Sequence, residues 1–249
     1  MQSKFSVLKT RFTVEGLTLT GELFLPDTSQ PPLVVGSHGL EGSRLSAKQR
    51  VLSCLLPENG MAFFRFDHRG CGDSHGDFVS DTSLATRTKD LVAAVEHALH
   101  MDMTSLHLGV FGSSMGGAAC INAWQVLEKT GVNVCGGVLC AAPVKSRTIK
   151  NIPTRANDIR PALPLDFFKE NLLFDLTHQA EALHHVLIFH GDADQVVPVS
   201  NAHTLFDSMQ PPGQCIIQKG GDHQMSSKDH QAEFETLALA WYKKIFATF

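Results

Sequence analysis

The chain has 249 residues, of which 43% are hydrophobic and 18% charged, and its formal net charge is −4. This length and balance predict one cored globular domain over residues 1–249 and exclude a disordered chain. A mildly acidic chain without a stripe of basic residues will not attract phosphate backbones, which excludes nucleic acid as the expected partner.

The predicted elements begin with β-rich runs at 5–14 and 17–25, joined at Glu15-Gly16 as in a hairpin. Buried strands and helices then alternate along the chain. The predicted strands are 32–38, 61–66, 105–111, 134–140, 186–189 and 214–218, and the predicted helices are 45–58, 84–100, 114–130, 199–209 and 232–246.

This alternation predicts an α/β fold: a mostly parallel sheet of about eight strands, an antiparallel N-terminal edge, and helices on both faces. In such sheets ligands bind at the carboxyl ends of the strands. We therefore expect the chemistry in the loops that follow His38, Phe66, Phe111, Cys140 and His190.

One stretch, at about 144–183, interrupts the alternation. It has no clear strand, prolines break its first part, and one or two short helices could form within 166–183. Roughly forty residues is long for a connection between two strands. Because the stretch leaves the sheet at the ligand-binding edge, we expect a lid-like insertion over the site; the alternative is a packed surface excursion.

Neither a signal peptide nor a membrane-spanning segment is predicted. The first ten residues have no long apolar run, and no window reaches the ~20 apolar residues that a spanning helix needs. Six scattered cysteines without a C-x-x-C pair indicate reduced thiols and a cytoplasmic protein. The pairs His97/His100 and His184/His185 lack an obvious third ligand, so we expect no metal.

The run G-S-S-M-G at 112–116 lies between a predicted strand and a predicted helix. G-x-S-x-G in that context is typical of a nucleophile elbow, a strained turn that exposes its serine. The residues two before and two after that serine must be small. Ser114 has glycines at both positions, whereas Ser113 would have a phenylalanine and a methionine. We therefore predict Ser114 as the nucleophile.

A nucleophilic serine needs an adjacent base, and the base must be oriented by an acid. His223 follows the last predicted strand in the loop Gly220-Gly221-Asp222-His223, from which a side chain can reach the elbow. His203 comes too early, and His230 falls at the edge of the terminal helix. We therefore predict His223 as the base, with Asp222 shaping its loop.

Residues 190–198 (H-G-D-A-D-Q-V-V-P) resemble the H-G-x-x-D-x-x-V-P pattern of many α/β-hydrolases. The resemblance implies that Asp194 is the acid of the triad. Asp192 is the competing acid, and it would more naturally shape the turn by accepting hydrogen bonds from backbone amides. His190, at the end of the strand, is expected to be structural.

Two further segments resemble the same superfamily. Residues 65–78 match R-x-D-x-R-G-x-G-x-S-x-G-x-F, where we expect a hydrogen-bonded turn that braces the site through Asp67, Arg69 and Ser74. His38-Gly39 is similar to the H-G motif, which implies that the backbone N–H of Leu40 is one donor of the oxyanion hole.

The second donor is the N–H of Met115, directly after the nucleophile. If the loop is shifted by one residue, a neighbour of Leu40 would serve instead.

Within this superfamily the chain most resembles the small cinnamoyl/feruloyl-esterase-like carboxylesterases. Dienelactone hydrolases and bile-acid-CoA acyltransferases carry cysteine at the elbow, and epoxide hydrolases and haloalkane dehalogenases carry aspartate, so Ser114 argues against all four. The resemblance implies the α/β-hydrolase fold and chemistry without a cofactor.

We therefore predict a serine hydrolase that cleaves small to medium carboxylic esters through an acyl-enzyme, as a monomer or homodimer. Thioesterase, monoacylglycerol lipase, peptidase or amidase and C–C hydrolase activities would use the same triad. A non-catalytic ligand-binding protein on this fold is the remaining alternative.

Overall fold

The computed structural model describes residues 5–156 and 162–248. Its strands are β1 (Phe5–Val14), β2 (Leu17–Pro26), β3 (Leu33–Ser37), β4 (Ala62–Phe66), β5 (His107–Ser113), β6 (Asn133–Cys140), β7 (Val186–Gly191) and β8 (Gly213–Gln218). Its α-helices are α1 (Ala47–Leu55), α2 (Phe78–Asp81), α3 (Leu84–His100), α4 (Met115–Glu128), α5 (Leu165–Asn171), α6 (Thr177–Ala180), α7 (Ser200–Ser208) and α8 (Lys228–Phe246).

The strands form one eight-stranded sheet in the order β1-β2-β4-β3-β5-β6-β7-β8. β1 pairs antiparallel with β2, and β2 with β4, whereas every later pair is parallel. The hairpin turn between β1 and β2 has positive φ at Glu15 and Gly16, as a tight two-residue turn requires. The predicted fold class, including the antiparallel N-terminal edge, is confirmed.

Alternate residues of the central strands enter two separate cores. Val35 and Phe64 pack in the core covered by α3, α4 and α7, while their neighbours Val34 and Phe63 pack in the core covered by α1 and α8. A strand that buries both faces is apolar without alternation, which explains the continuous apolar runs in the sequence. Across the described ranges, no helix combines the length and apolar character needed to cross a membrane.

Helix boundaries differ from the predicted ones where polar residues or proline decide them. The helix predicted at 45–58 ends at Leu55, and a 3-10 turn follows at Pro57–Asn59, since Pro57 cannot donate the next helical hydrogen bond. The terminal helix begins at Lys228, four residues before the predicted start. Its first turn is polar and largely exposed, so the apolar pattern used for the prediction does not include it. The short α2 was not predicted; Asp77 caps it by accepting from two backbone amides.

The connection between β6 and β7 carries α5 and α6, the short helices expected within 166–183. Residues 157–161 of the predicted 144–183 insertion lie outside the described residues. The first turn of the insertion is fastened by the buried side chain of Asn201, on α7. Its Oδ1 accepts from the amides of Val144 (3.0 Å) and Lys145 (3.1 Å), and its Nδ2 donates to Thr148 Oγ1 (2.8 Å).

We predict that Asn201→Ala lowers the free energy of unfolding by about 1–3 kcal/mol, because it leaves the buried amide of Val144 without a partner. Urea unfolding followed by circular dichroism would measure the change. Asn59→Ala is the matched control, since Asn59 makes one side-chain bond, to the carbonyl of Leu55. Equal losses for the two variants would contradict the anchoring role of Asn201.

Candidate active site

Ser114 lies at the junction of β5 and α4, the turn between strand and helix predicted from G-x-S-x-G. Its φ of 52° and ψ of −122° are sparsely populated for a residue with a side chain, a conformation that costs about 1–3 kcal/mol. The turn is held by a hydrogen bond from the Ser114 amide to the carbonyl of Cys140, at the end of β6 (2.8 Å).

The glycines around Ser114 are required by close packing of backbone on backbone. A Cβ at Gly112 would lie 2.6 Å from the Cα of Gly117, and a Cβ at Gly116 would overlap the carbonyl oxygen of Ser37. A Cβ at Gly117 would lie 2.5 Å from that of Ala142. The space restriction that selected Ser114 over Ser113 in the sequence is therefore present, and it extends to Gly117.

Asp194 lies in the loop after β7 with its side chain fully buried. Its Oδ1 accepts from the amides of Val196 (2.8 Å) and Val197 (2.9 Å), and its Oδ2 accepts from His223 Nδ1 (2.7 Å). Burial alone would raise the pKa of Asp194, but His190 and His223 on the same carboxylate outweigh that effect and hold the pKa well below its usual range. The carboxylate is therefore ionised at neutral pH.

His223 joins the acid to the serine. Because the carboxylate of Asp194 can only accept, Nδ1 of His223 carries the proton, and Nε2 is left to accept from the Ser114 hydroxyl at 3.0 Å. Three residues from loops after β5, β7 and β8 thus form one hydrogen-bonded chain. This geometry allows the imidazole to remove the proton of the serine hydroxyl.

The competing residues weighed in the sequence lie elsewhere. Asp192 accepts a hydrogen bond from the amide of Gly220 (2.6 Å), and Asp222 accepts one from the amide of Ser226 (2.8 Å), so both shape loops as expected. His203 is exposed on α7, and His230 is half-buried in the first turn of α8. Within the described part of the chain, neither histidine borders the cavity at Ser114.

The other histidine of the acid loop, His190, is buried at the end of β7. Its Nε2 donates to the carbonyl of Val197 (2.7 Å) and lies 3.4 Å from Asp194 Oδ2. His190 therefore supports the acid, in agreement with the structural role predicted for it.

The loop after β3 approaches the serine from the opposite side. A Cβ at Gly39 would lie 3.5 Å from that of Ser114, so this loop is in contact with the nucleophile. Leu40 and Met115, the residues predicted to supply oxyanion-hole amides, both line the cavity at Ser114. Within residues 5–156 and 162–248, the amides of Leu40 and Met115 donate no hydrogen bond, which leaves both available to a ligand.

The loop after β4 forms a brace, as its resemblance predicted. Asp67 is buried, accepts from the amides of Arg44 (2.7 Å) and Asp73 (2.9 Å), and forms an ion pair with the Arg44 guanidinium. Ser74 donates to the carbonyl of Asp67 (2.7 Å). Arg69 donates from Nε to the buried Asp90 (2.8 Å), which ties the loop to α3.

Sequence reasoning missed Arg87, a buried residue of α3 whose guanidinium donates to three consecutive carbonyls of the loop after β3. A signal was present. Arg87 lies three residues after Leu84 and four before Leu91, on the apolar face of the helix. A charged residue at a core position of an amphipathic helix indicates a buried partner.

Ser114 opens into a cavity of about 720 Å³. The floor is formed by the loops that carry Ser114 and His223, and one wall is contributed by the insertion. The apolar side chains of that wall are Ile149, Ile152, Leu165, Phe168, Leu172 and Phe174, and Arg147 and Lys169 add positive charge to it. In the described residues, no three His, Cys, Asp or Glu side chains are grouped so that they could hold a metal ion.

Comparison with known proteins places the chain in a family. Residues 29–165, more than half of the chain, match the family model described as serine aminopeptidase, S33. The chain belongs to this hydrolase family. The match to the S33 model includes the loop after β3, the brace and the elbow, and it ends within the insertion.

Two curated relatives are each 26% identical to the chain. The chain is 26% identical to protein YfhR of Escherichia coli (strain K12) over 228 residues, which covers 88% of this chain and 74% of YfhR. It is 26% identical to the mitochondrial palmitoyl-protein thioesterase ABHD10 of Mus musculus, covering 68% of this chain and 61% of that protein.

Among solved structures, the ferulic-acid-bound Est1E of Butyrivibrio proteoclasticus superposes with a TM-score of 0.77 at 22% identity, covering 93% of this chain and 99% of Est1E. This likeness confirms the α/β-hydrolase fold of the S33 chain.

The acid loop generates a pH-dependent prediction. The pKa of Asp194 is lower in the folded chain than in the unfolded chain, where it is about 3.9. Its carboxylate therefore stabilises the fold above that pH, and this stabilisation is lost as the pH falls through the folded-state pKa. We expect Asp194→Asn to destabilise the protein most at neutral pH and less in acid.

Urea unfolding of wild type and Asp194→Asn at pH 7 and at about pH 3 would measure this difference. Asp192→Asn, at an exposed position of the same loop, is the control and should change stability little at either pH. A destabilisation by Asp194→Asn that is equal at both pH values would contradict a stabilising role for the ionised carboxylate of Asp194.

Proposed function

We propose that this S33 chain is a serine carboxylesterase that hydrolyses small to medium carboxylic esters with an apolar acyl group. The observation that carries the proposal is the hydrogen-bonded chain Ser114–His223–Asp194 at the floor of an apolar cavity. The cavity volume of about 720 Å³ is within the range of small-molecule sites. Six free cysteines support a reducing, cytoplasmic location.

The proposed reaction has two acyl-transfer steps. In the first, His223 removes the proton from Ser114, whose oxygen attacks the ester carbonyl, and Asp194 stabilises the imidazolium that forms. The amides of Leu40 and Met115 hold the negative oxygen of the tetrahedral intermediate. His223 then gives the proton to the departing alcohol. In the second step water, activated by His223, attacks the acyl-enzyme and releases the acid.

An apolar acyl group is favoured by the wall that the insertion provides. Ile152 and Leu165 are exposed at 38% and 58%, so apolar surface faces the open cavity. Such surface is stabilised when an apolar ligand covers it, by about 25 cal/mol for each Å² removed from water. An insertion that walls the cavity in this way also fits the lid expected from the sequence.

A peptidase that recognises a free amino terminus is less well supported. An ammonium group taken out of water needs carboxylates or other acceptors around it. Among the described residues that line the cavity, Glu41 is the single carboxylate, whereas Lys48, Arg147 and Lys169 bring positive charge. The charge of the cavity therefore favours an acyl substrate over an amino-terminal one, although the family model is named for an aminopeptidase.

A thioester of the same acyl groups is the second candidate, because the chain is similar to the palmitoyl-protein thioesterase ABHD10. The chemistry at Ser114 would be the same, with a thiol as the leaving group. Matched oxygen esters and thioesters of one acid would separate the two activities, since a carboxylesterase should show the higher kcat/KM with the oxygen ester.

We predict that Ser114→Ala lowers kcat by about 10⁴-fold or more, because it removes the hydroxyl that is hydrogen-bonded to His223. The measurement is hydrolysis of a chain-length panel of p-nitrophenyl esters and of hydroxycinnamate esters. Ser113→Ala, one residue earlier, is the control and should retain activity. Wild-type rates in Ser114→Ala, or fluorophosphonate labelling at Ser113, would refute the assignment.

The apolar wall yields a second prediction. Phe168→Ala should raise KM for hexanoyl and octanoyl esters by about tenfold and leave acetyl esters unchanged, because we expect longer acyl groups to contact the apolar wall that includes Phe168. Glu170→Ala, exposed on the same helix, should change neither. Equal effects of Phe168→Ala on acetyl and octanoyl esters would contradict an acyl-binding role for this wall.

A further inference from the structure

The side chain of Arg87 is a buried cation that donates to backbone carbonyls. It is 1% exposed, and its Nη1 donates to the carbonyls of His38 (3.1 Å) and Gly39 (3.2 Å), while its Nη2 donates to the carbonyl of Leu40 (3.0 Å). In the part of the chain that the structure describes, no carboxylate hydrogen-bonds to Arg87. Asp90, one turn later on α3, attracts Arg87 electrostatically, but its hydrogen bonds come from Arg69 and His68.

Fold stability alone gives little reason for this arrangement. Taking a charge out of water costs several kcal/mol, and Arg87 recovers part of that cost through neutral carbonyl acceptors and not through a hydrogen-bonded carboxylate. Arg87 directs three of its hydrogen bonds to the consecutive carbonyls of residues 38–40, and a fourth, longer one from Nη2 reaches Cys71 Sγ (3.5 Å). Its positive charge therefore lies directly behind the loop whose other side contacts Ser114.

The hydrogen bond from Arg87 to the Gly39 carbonyl determines where the N–H of Leu40 points. In a trans peptide the C=O of one residue and the N–H of the next lie in one plane and point in opposite directions. Because the Gly39 carbonyl is turned toward Arg87, the N–H of Leu40 points away from it. That N–H donates no hydrogen bond among the described residues, and Leu40 lines the cavity at Ser114.

We propose that Arg87 is a positioning residue of the oxyanion hole, which orients and polarises the Gly39–Leu40 peptide so that its N–H binds the oxyanion more strongly. A cation on the carbonyl oxygen draws electron density through the peptide and strengthens the N–H as a donor. The charge also acts on the oxyanion directly, through protein interior of low dielectric. The inference rests on the proposed function, because the oxyanion forms only if Ser114 attacks a carbonyl.

Charge and orientation can be separated experimentally. The Gly39 carbonyl also accepts from His38 Nδ1 (2.8 Å) and from the Gly42 amide (3.1 Å), so the peptide keeps two of its three holds when Arg87 is replaced. Arg87→Met therefore removes the charge and the hydrogen bonds to the His38 and Leu40 carbonyls, while the Gly39 carbonyl keeps two donors. Arg87→Lys keeps the charge but loses the fork that reaches three carbonyls at once.

The test measures kcat and KM for a short-chain p-nitrophenyl ester and the inhibition constant of a trifluoromethyl ketone, which forms a tetrahedral oxyanion adduct with a serine. For Arg87→Met we expect kcat to fall about 10- to 100-fold and KM to stay within about twofold of wild type. This loss in kcat is no larger than the loss caused by removing a direct oxyanion-hole donor. The ketone should weaken by the same factor as kcat/KM. Arg87→Lys should lose about fivefold in kcat.

Arg65→Met is the matched control. Arg65 is also a buried arginine, but it donates to Glu22 and Ser53 and not to the carbonyls of residues 38–40. We expect Arg65→Met to lower stability and to leave kcat, KM and ketone binding near wild type.

Folded Arg87→Met with wild-type kcat and ketone affinity would overturn the inference, and so would a loss confined to KM. If Arg87→Met does not fold, Arg87→Lys with wild-type kcat and ketone affinity overturns it. Ser114→Ala is measured in the same series. Retained hydrolysis by Ser114→Ala, or no hydrolysis by wild type, refutes the proposed function itself, whereas an effect of Ser114→Ala without an effect of Arg87 refutes the role of Arg87 alone.

Discussion

The close approach of backbone to backbone at the elbow is the constraint around which the molecule is organised. β5 can turn into α4 only where side chains are absent: Gly112 lies against Gly116 and Gly117 of the same turn, Gly116 against Ser37 at the end of β3, and Gly117 against Ala142 after β6. The same contacts hold Ser114 in a backbone conformation that it would not adopt alone. The strained turn and the loops that flank the nucleophile are therefore one packed unit.

Charges are arranged around this unit in two layers. The ionised Asp194 is bonded to His223 and fixes its tautomer. The buried Arg87 is bonded to the loop after β3, on the side of that loop away from Ser114. The two layers come from different elements, since the acid follows β7 while the arginine belongs to α3. A parallel sheet permits this because its strands deliver their loops to one edge while its helices approach those loops from the sides.

The sequence was sufficient for the parts of this arrangement that depend on local pattern. Apolar runs predicted all eight strands, and the small residues around Ser114 predicted the elbow. Polar helix starts were missed, as at Lys228, because hydrophobic periodicity does not register an exposed first turn.

Arg87 was missed for a different reason. Its role depends on carbonyls that lie nearly fifty residues away in the chain and that carry no side-chain signal. Tertiary hydrogen bonds from a side chain to a distant backbone leave almost no trace in a single sequence.

The beginning of the insertion is stitched to the acid loop as well as to Asn201. The amide of Lys150 donates to the carbonyl of Val196, and Nδ2 of Asn151 donates to the carbonyl of Gln195, both at 2.7 Å. Residues 144–151 therefore connect the cavity wall to the loop that carries Asp194. If the rest of the insertion is replaced by that of another hydrolase to change the acyl specificity that we propose, the new segment should begin after residue 151. The hydrogen bonds of Lys150 and Asn151 to the loop of Asp194 are then kept.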